Sequence, residues 1–145
     1  MRNAKKFQAG LQLLRQLELS LFDFRLHLEF DPKKDYTQIQ ALLDKIRKRI
    51  NIIPVSPFNR FQHGFSHIFA GGYAAGYYSY LWAEVLSCDA FTKFLEDGIF
   101  NQETGQAFLQ SILEQGGAID AMELFKKFRG REPKIQAFLK SLDIE

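Results

Sequence analysis

The sequence predicts an all-α fold, a helical bundle, and three features of it carry that prediction. Apolar residues recur at three- and four-residue steps through most of the chain. Proline, Asp-Gly and Gly-Gly punctuation cuts the pattern into helix-sized segments. No segment alternates apolar and polar residues with the period of two that a half-buried strand requires. At 145 residues the chain is long enough to bury a proper core.

A first helix is expected over the first thirty residues, where Phe7, Leu11, Leu14, Leu17 and Leu21 form a stripe. From Leu17 to Leu28 the apolar positions, including Leu19, Phe22, Phe24 and Leu26, spread around the circumference. A helix apolar on all sides is expected to be buried on all sides. Asp31-Pro32 ends it, because proline disfavours helical backbone in the residue before it. A second helix, from about Asp35 to Ile50, buries Ile39, Leu42, Leu43 and Ile46. Lys45, Arg47, Lys48 and Arg49 suit the negative end of its dipole and read as a solvated turn. Pro54 and Pro57 mark an extended connection.

Residues 58–82 set Gly64, Gly71, Gly72 and Gly76 among aromatics and histidine. A helix from about Tyr77 to Glu96 then carries Leu81, Val85, Phe91, Phe94 and Leu95 and closes at Asp97-Gly98. Asn101, three residues before Thr104, is placed to cap the next helix, with Phe108, Leu109, Ile112 and Leu113, which Gly116-Gly117 stops. Two short helices follow, around Ala121 to Phe128 and around Pro133 to Leu142, the latter with proline in its first turn.

The net charge of +2, from nineteen basic and seventeen acidic residues, supplies no field to attract nucleic acid or an anionic membrane. No apolar run is long enough to span a bilayer. The polar start, Met1 to Lys6, leads into helical periodicity and not into a signal peptide. With Cys88 alone no intramolecular disulfide forms, so the expected setting is the reducing cytoplasm. Fifteen phenylalanines imply a core of large rings or apolar surface meant to be covered. The helical pattern begins close to Met1 and is too apolar to stand alone, as in a chain cut from something larger. Self-association through that apolar helix face is expected.

Three constellations could carry chemistry. His63 and His67 stand at i and i+4, which on a helix would let both imidazoles share a zinc ion. Metalloproteases place a glutamate directly after the first histidine; here Gly64 occupies that position and no third ligand is evident, so no metal is expected on this chain. His27 reads as a buried or boundary histidine. Tyr73, Tyr77 and Tyr80 fall at i, i+4 and i+7, so a helix would align three phenols on one face. An aromatic core stripe would explain that spacing equally. Against it, tyrosine recurs where phenylalanine would pack as well, and each buried hydroxyl needs a partner. Finally, Phe125-Lys126-Lys127-Phe128-Arg129-Gly130-Arg131 mixes bases and rings as nucleic-acid binders do, but it is short and reads as a solvated turn. Cys88 reads as a buried helical thiol.

Phe65-Ser66-His67-Ile68-Phe69-Ala70-Gly71-Gly72-Tyr73-Ala74-Ala75-Gly76-Tyr77-Tyr78-Ser79-Tyr80, with Trp82-Ala83-Glu84-Val85, closely resembles the zinc oligopeptidases of the thimet oligopeptidase and oligopeptidase A family. Flanking segments agree in order: Lys6 to Leu11, Ser20 to Phe24, Gly98 to Asn101, Met122 to Phe125 and Arg129 to Pro133. The resemblance implies that residues 1–145 are the C-terminal, substrate-facing piece of the catalytic domain of a mostly helical, two-lobed metallopeptidase. In such enzymes zinc is held by a His-Glu-x-x-His helix and a later glutamate, all preceding the region matched here. The resemblance further implies that Tyr80 donates a hydrogen bond to the developing oxyanion. It gives His67, Gly71, Gly72, Tyr73 and Tyr77 to the binding of an oligopeptide substrate. The step from His67 to Tyr73 is one residue longer than in the thimet branch, and the zinc motif is absent. Alone, the chain is expected to be inactive and to need the missing N-terminal part as its partner. The alternative is a non-catalytic helical module that kept the family fold and binds peptides or proteins.

Overall fold

The computed structural model describes residues 6–144; residues 1–5, read above as the polar lead into the first helix, lie outside it. Every regular element among the described residues is helical, as the periodicity predicts. The chain divides into two compact units, residues 1–81 and 82–145. No helix of the described residues is long and apolar enough to cross a membrane.

In the first unit, α1 (Ala9–Glu29) and α2 (Thr37–Ile50) are joined through Asp31-Pro32, as proline dictates. Leu19, Phe22 and Leu26 of α1 pack with Leu43 and Ile46 of α2, and Phe65, Ile68 and Tyr77 complete this core. Glu18 of α1, buried, takes Arg47 Nε of α2 at 2.8 Å and Arg15 at 2.9 Å. Burial works to raise the Glu18 pKa, but the two guanidiniums outweigh it and hold it below the usual carboxylate range. Arg47 is therefore a packed ion-pair partner and not part of a solvated turn, whereas Lys45, Lys48 and Arg49 are exposed as expected.

The later half of α1 differs from its sequence reading. Leu17, Leu21, Phe24 and Leu28 are exposed, Leu28 to 74%. They recur at three- and four-residue steps along one face, opposite the positions α2 covers. Within the first unit, the face with Leu19, Phe22 and Leu26 is the one that α2 and Phe65 bury.

A one-turn 3₁₀ helix (Phe61–Gly64) and a short α3 (Ser66–Phe69) lead to the glycine-rich segment. α4 (Ser79–Asp97) starts two residues later than its pattern suggests; from Trp82 onward it belongs to the second unit. Gly98 ends it at φ 108° with its N–H on Phe94 O. α5 (Gln102–Phe108) is capped as expected, Asn101 Oδ1 accepting from Thr104 N at 3.0 Å. It continues as a π-helical turn, Leu109–Leu113. α6 (Ala121–Arg129) begins under an Asp120 cap. The last helix, α7 (Gln136–Ser141), begins three residues beyond Pro133, so that proline precedes the helix and does not open its first turn.

The second core groups Ala90, Phe125 and Phe128 with Phe94, Phe108 and Ile112. Its only buried carboxylate among the described residues is Asp89 of α4. Arg131 grips it with Nη2 at 2.6 Å and Nη1 at 2.7 Å, and the Lys134 amide donates at 2.6 Å. Arg129 Nε stands 3.6 Å away, while its other nitrogens fork onto Glu96 at 2.9 Å each. The basic run after Phe125 is thus corrected: Arg129 and Arg131 are committed to internal ion pairs. Its sequence neighbours gave no hint of an acid forty-two residues away. Cys88 is half-buried, near Ser141 Oγ. The phenylalanines divide between both readings: five are buried, including Phe22 and Phe125, and Phe7, Phe58, Phe69 and Phe100 among others are exposed.

Candidate functional site

Four rings meet at the end of the first unit. Tyr73 and Tyr80 stack with centroids 5.0 Å apart and planes 26° from parallel. Tyr77 lies 5.1 Å from Tyr80, and His67 meets all three tyrosines at 5.6 to 6.3 Å. The residues singled out in the sequence are therefore neighbours, but by a different geometry from the one expected. Tyr73 and Tyr77 precede α4 in successive turns closed by Gly76 N to Tyr73 O (2.8 Å) and Ser79 N to Gly76 O (3.0 Å). Only Tyr80 lies on the helix. His63 and His67 likewise do not share a helix, because Phe65 breaks the chain between the 3₁₀ turn and α3.

Two glycines shape the approach. Gly71 donates to Ser66 O at 2.8 Å, and Tyr73 donates to His67 O at 3.0 Å, folding the segment back on α3. A Cβ at Gly71 would lie 2.9 Å from both Cα and O of His67, contacts that only a backbone shift relieves. Gly72 sits at φ 77°, left-handed space where a side chain costs about 1–2 kcal/mol. Gly71→Ala should push His67 away from the rings and lower stability by about 1–3 kcal/mol. Near-ultraviolet circular dichroism of the tyrosines and a denaturant titration check this; an unchanged spectrum with unchanged stability would contradict it.

The phenols differ in environment. Tyr77 is buried and donates its hydroxyl to Gln16 Oε1 of α1 at 3.2 Å, the partner that a buried phenol requires. Burial raises its pKa, with Arg15 and Gln16 pulling the other way. Tyr80 is 42% exposed, and its pKa is raised chiefly by hydrogen bonding to Tyr73. Both phenols therefore keep their protons at neutral pH, and Tyr80 is the more exposed of the two residues. Tyr73 is half-buried, and Gly71, Gly72 and His67 are exposed.

Asp23 of α1 was not singled out by spacing, yet it organises this region. Its Oδ1 accepts from Ala75 N and its Oδ2 from Tyr77 N, both at 2.9 Å. His27 Nδ1 reaches it too, 2.8 Å from its carbonyl and 3.0 Å from Oδ1, so His27 is an exposed ring latched to its own helix. The available signal was a carboxylate flanked by Phe22 and Phe24 within an apolar-rich helical stretch.

Among the described residues, no group of three or more His, Cys, Asp or Glu side chains converges as metal ligands do. His63 and His67 alone do not offer a zinc ion a fitting donor set.

The matched family model is peptidase family M3, over residues 1–144. The chain is 57% identical to oligopeptidase A of Escherichia coli (strain K12) over 142 residues, covering 98% of this chain and 21% of that protein. It is 56% identical to oligopeptidase A of Salmonella typhimurium over the same shares. To the dipeptidyl carboxypeptidase of Escherichia coli it is 36% identical, over 96% of this chain and 20% of that protein. The chain thus spans about a fifth of the length of the curated relatives it matches. Near-complete coverage by the family model, and high identity to its oligopeptidases, lead to one conclusion: this chain belongs to peptidase family M3.

Proposed function

We propose that the chain is the substrate-facing, C-terminal part of the catalytic domain of a zinc-dependent oligopeptidase. The observation that carries this reading is the exposed Tyr80 side chain, stacked on Tyr73 at 5.0 Å, in a chain 57% identical to oligopeptidase A. Hydrolysis of a peptide builds negative charge on the scissile carbonyl oxygen. A fixed O–H donor that strengthens its bond as that charge grows lowers the barrier. In this reading Tyr80 is that donor. His67, Gly71, Gly72, Tyr73 and Tyr77 form the surround that holds the oligopeptide. In this reading the metal ligands are supplied by the preceding part of the enzyme, and the working setting is the cytoplasm.

The test grafts this chain in place of the matching fifth of Escherichia coli oligopeptidase A. The chimera should cleave short peptides, lose activity to a chelator and regain it with zinc. The chain alone, after dialysis, should hold no zinc and cleave nothing. A folded chimera that binds peptides without cleaving them would favour the non-catalytic module instead. One tightly held zinc per isolated chain would overturn the placement of the ligands elsewhere.

A further inference from the structure

We propose that Asp23 is the positioning residue of the tyrosine array: one buried carboxylate on α1 fixes the backbone of residues 75–77 and, through it, the Tyr80 phenol. Its effect on turnover rests on the oxyanion reading above; its effect on geometry does not.

Asp23 is fully buried, a costly place for a carboxylate unless its oxygens are satisfied. They are satisfied by the backbone of the site itself. Oδ1 takes the Ala75 amide and Oδ2 the Tyr77 amide, each at 2.9 Å. Neither amide belongs to a helix, so neither has the ladder partner that would otherwise hold it. Ala75 moreover sits at φ 55°, left-handed space that alanine occupies only when its surroundings impose it. The carboxylate is that imposition. Two oxygens facing two N–H groups demand an acceptor at both positions, and a carboxyl group with two oxygens supplies this. An amide side chain would turn an NH₂ toward one of them.

Through Tyr77 the constraint reaches the exposed phenol. α1 holds Tyr77 at both ends, the amide on Asp23 and the hydroxyl on Gln16, two helical turns earlier on the same face. Its ring packs edge-on against Phe65 at 5.1 Å, and its carbonyl accepts the Tyr80 N–H at 3.3 Å. The first turn of α4, and with it the direction of the Tyr80 ring, starts from a residue that α1 has already fixed. His27, the titratable neighbour on the same carboxylate, completes its coordination.

Amide hydrogen exchange on the unmodified chain provides the first test. The Ala75 and Tyr77 amides should be protected like the interior amides of α2, although they lie in turns. Free exchange at both would overturn the proposal without any variant being made. In Asp23→Asn the two amides should exchange at least about tenfold faster while Leu43 and Ile46 are unaffected. The near-ultraviolet tyrosine signal should shrink with the far-ultraviolet helix signal unchanged. Protection retained in the variant would equally overturn it. In the chimera, Asp23→Asn should lower kcat by about tenfold with KM little changed, as expected for a misplaced donor. If instead Tyr80→Phe leaves turnover intact, the oxyanion reading fails and the exchange result stands by itself.

Discussion

Tyr80→Phe, introduced into the chimera with Escherichia coli oligopeptidase A, is expected to lower kcat about a hundredfold while KM moves little. The size follows from the loss of one oxyanion donor. The split follows from timing: a bond that strengthens only as the carbonyl oxygen charges contributes to the transition state and not to ground-state binding. The Tyr80 side chain is 42% exposed and stacks on Tyr73 with ring centroids 5.0 Å apart. Tyr77 serves as the contrast. Its proton is committed to Gln16 and its ring is buried, so Tyr77→Phe should cost turnover far less. Equal losses in both variants, measured as steady-state kcat on one oligopeptide, would sink the assignment of Tyr80 as the donor.

The largest expected loss of stability is at Asp89→Ala, about 3–5 kcal/mol by denaturant unfolding. Removing one member of a buried ion pair strands the rest. Here the change takes away the acceptor of Arg131 and of the Lys134 amide, and the counter-charge 3.6 Å from Arg129 Nε, whose side chain is only 6% exposed. Glu96 keeps its fork on Arg129, which is why the loss should fall within this range and not beyond it. The pH dependence has a definite sign. Burial works to raise the Asp89 pKa, but the bonds from Arg131 and Lys134 N–H win and hold it below the usual carboxylate range. A depressed folded pKa contributes stability that is fully present above the unfolded value, near 3.9, and is lost as pH falls through the folded one. Acid should therefore weaken the wild-type chain below about pH 4 more steeply than Asp89→Ala. A variant within 1 kcal/mol of wild type would show that the pair is a surface ornament.

The helices were legible because each is signed locally. The Asp31-Pro32 stop, the Asn101 cap and the Asp97-Gly98 close each act within a few residues, and each stands where its chemistry puts it. What escaped the sequence depends on partners far along the chain. Leu17, Leu21, Phe24 and Leu28 look as apolar as Leu19 and Leu26, and only the position of α2 decides which set is covered. Arg129 and Arg131 look like a solvated basic turn until Asp89 is brought beside them. At the candidate site, the residue types of the tyrosine segment identified which side chains would meet. A helical reading misplaced how they do so, because Tyr73 and Tyr77 are carried by turns. The acid that holds those turns lay hidden among apolar neighbours on another helix.

The span of the Asp23 pairing also makes the tyrosine array depend on packing elsewhere in the first unit. Its bonds to Ala75 and Tyr77 close loops of fifty-two and fifty-four residues. Closing a flexible loop of that length costs about 3.5 kcal/mol in chain entropy from the length-dependent part alone, far more than a turn or a helix pays for its local bonds. Two hydrogen bonds cannot meet that by themselves. The packing of α1 on α2, and of Phe65 and Tyr77 against both, must carry it. The array therefore draws the free energy that closes its loops from the core into which Tyr77 itself is packed.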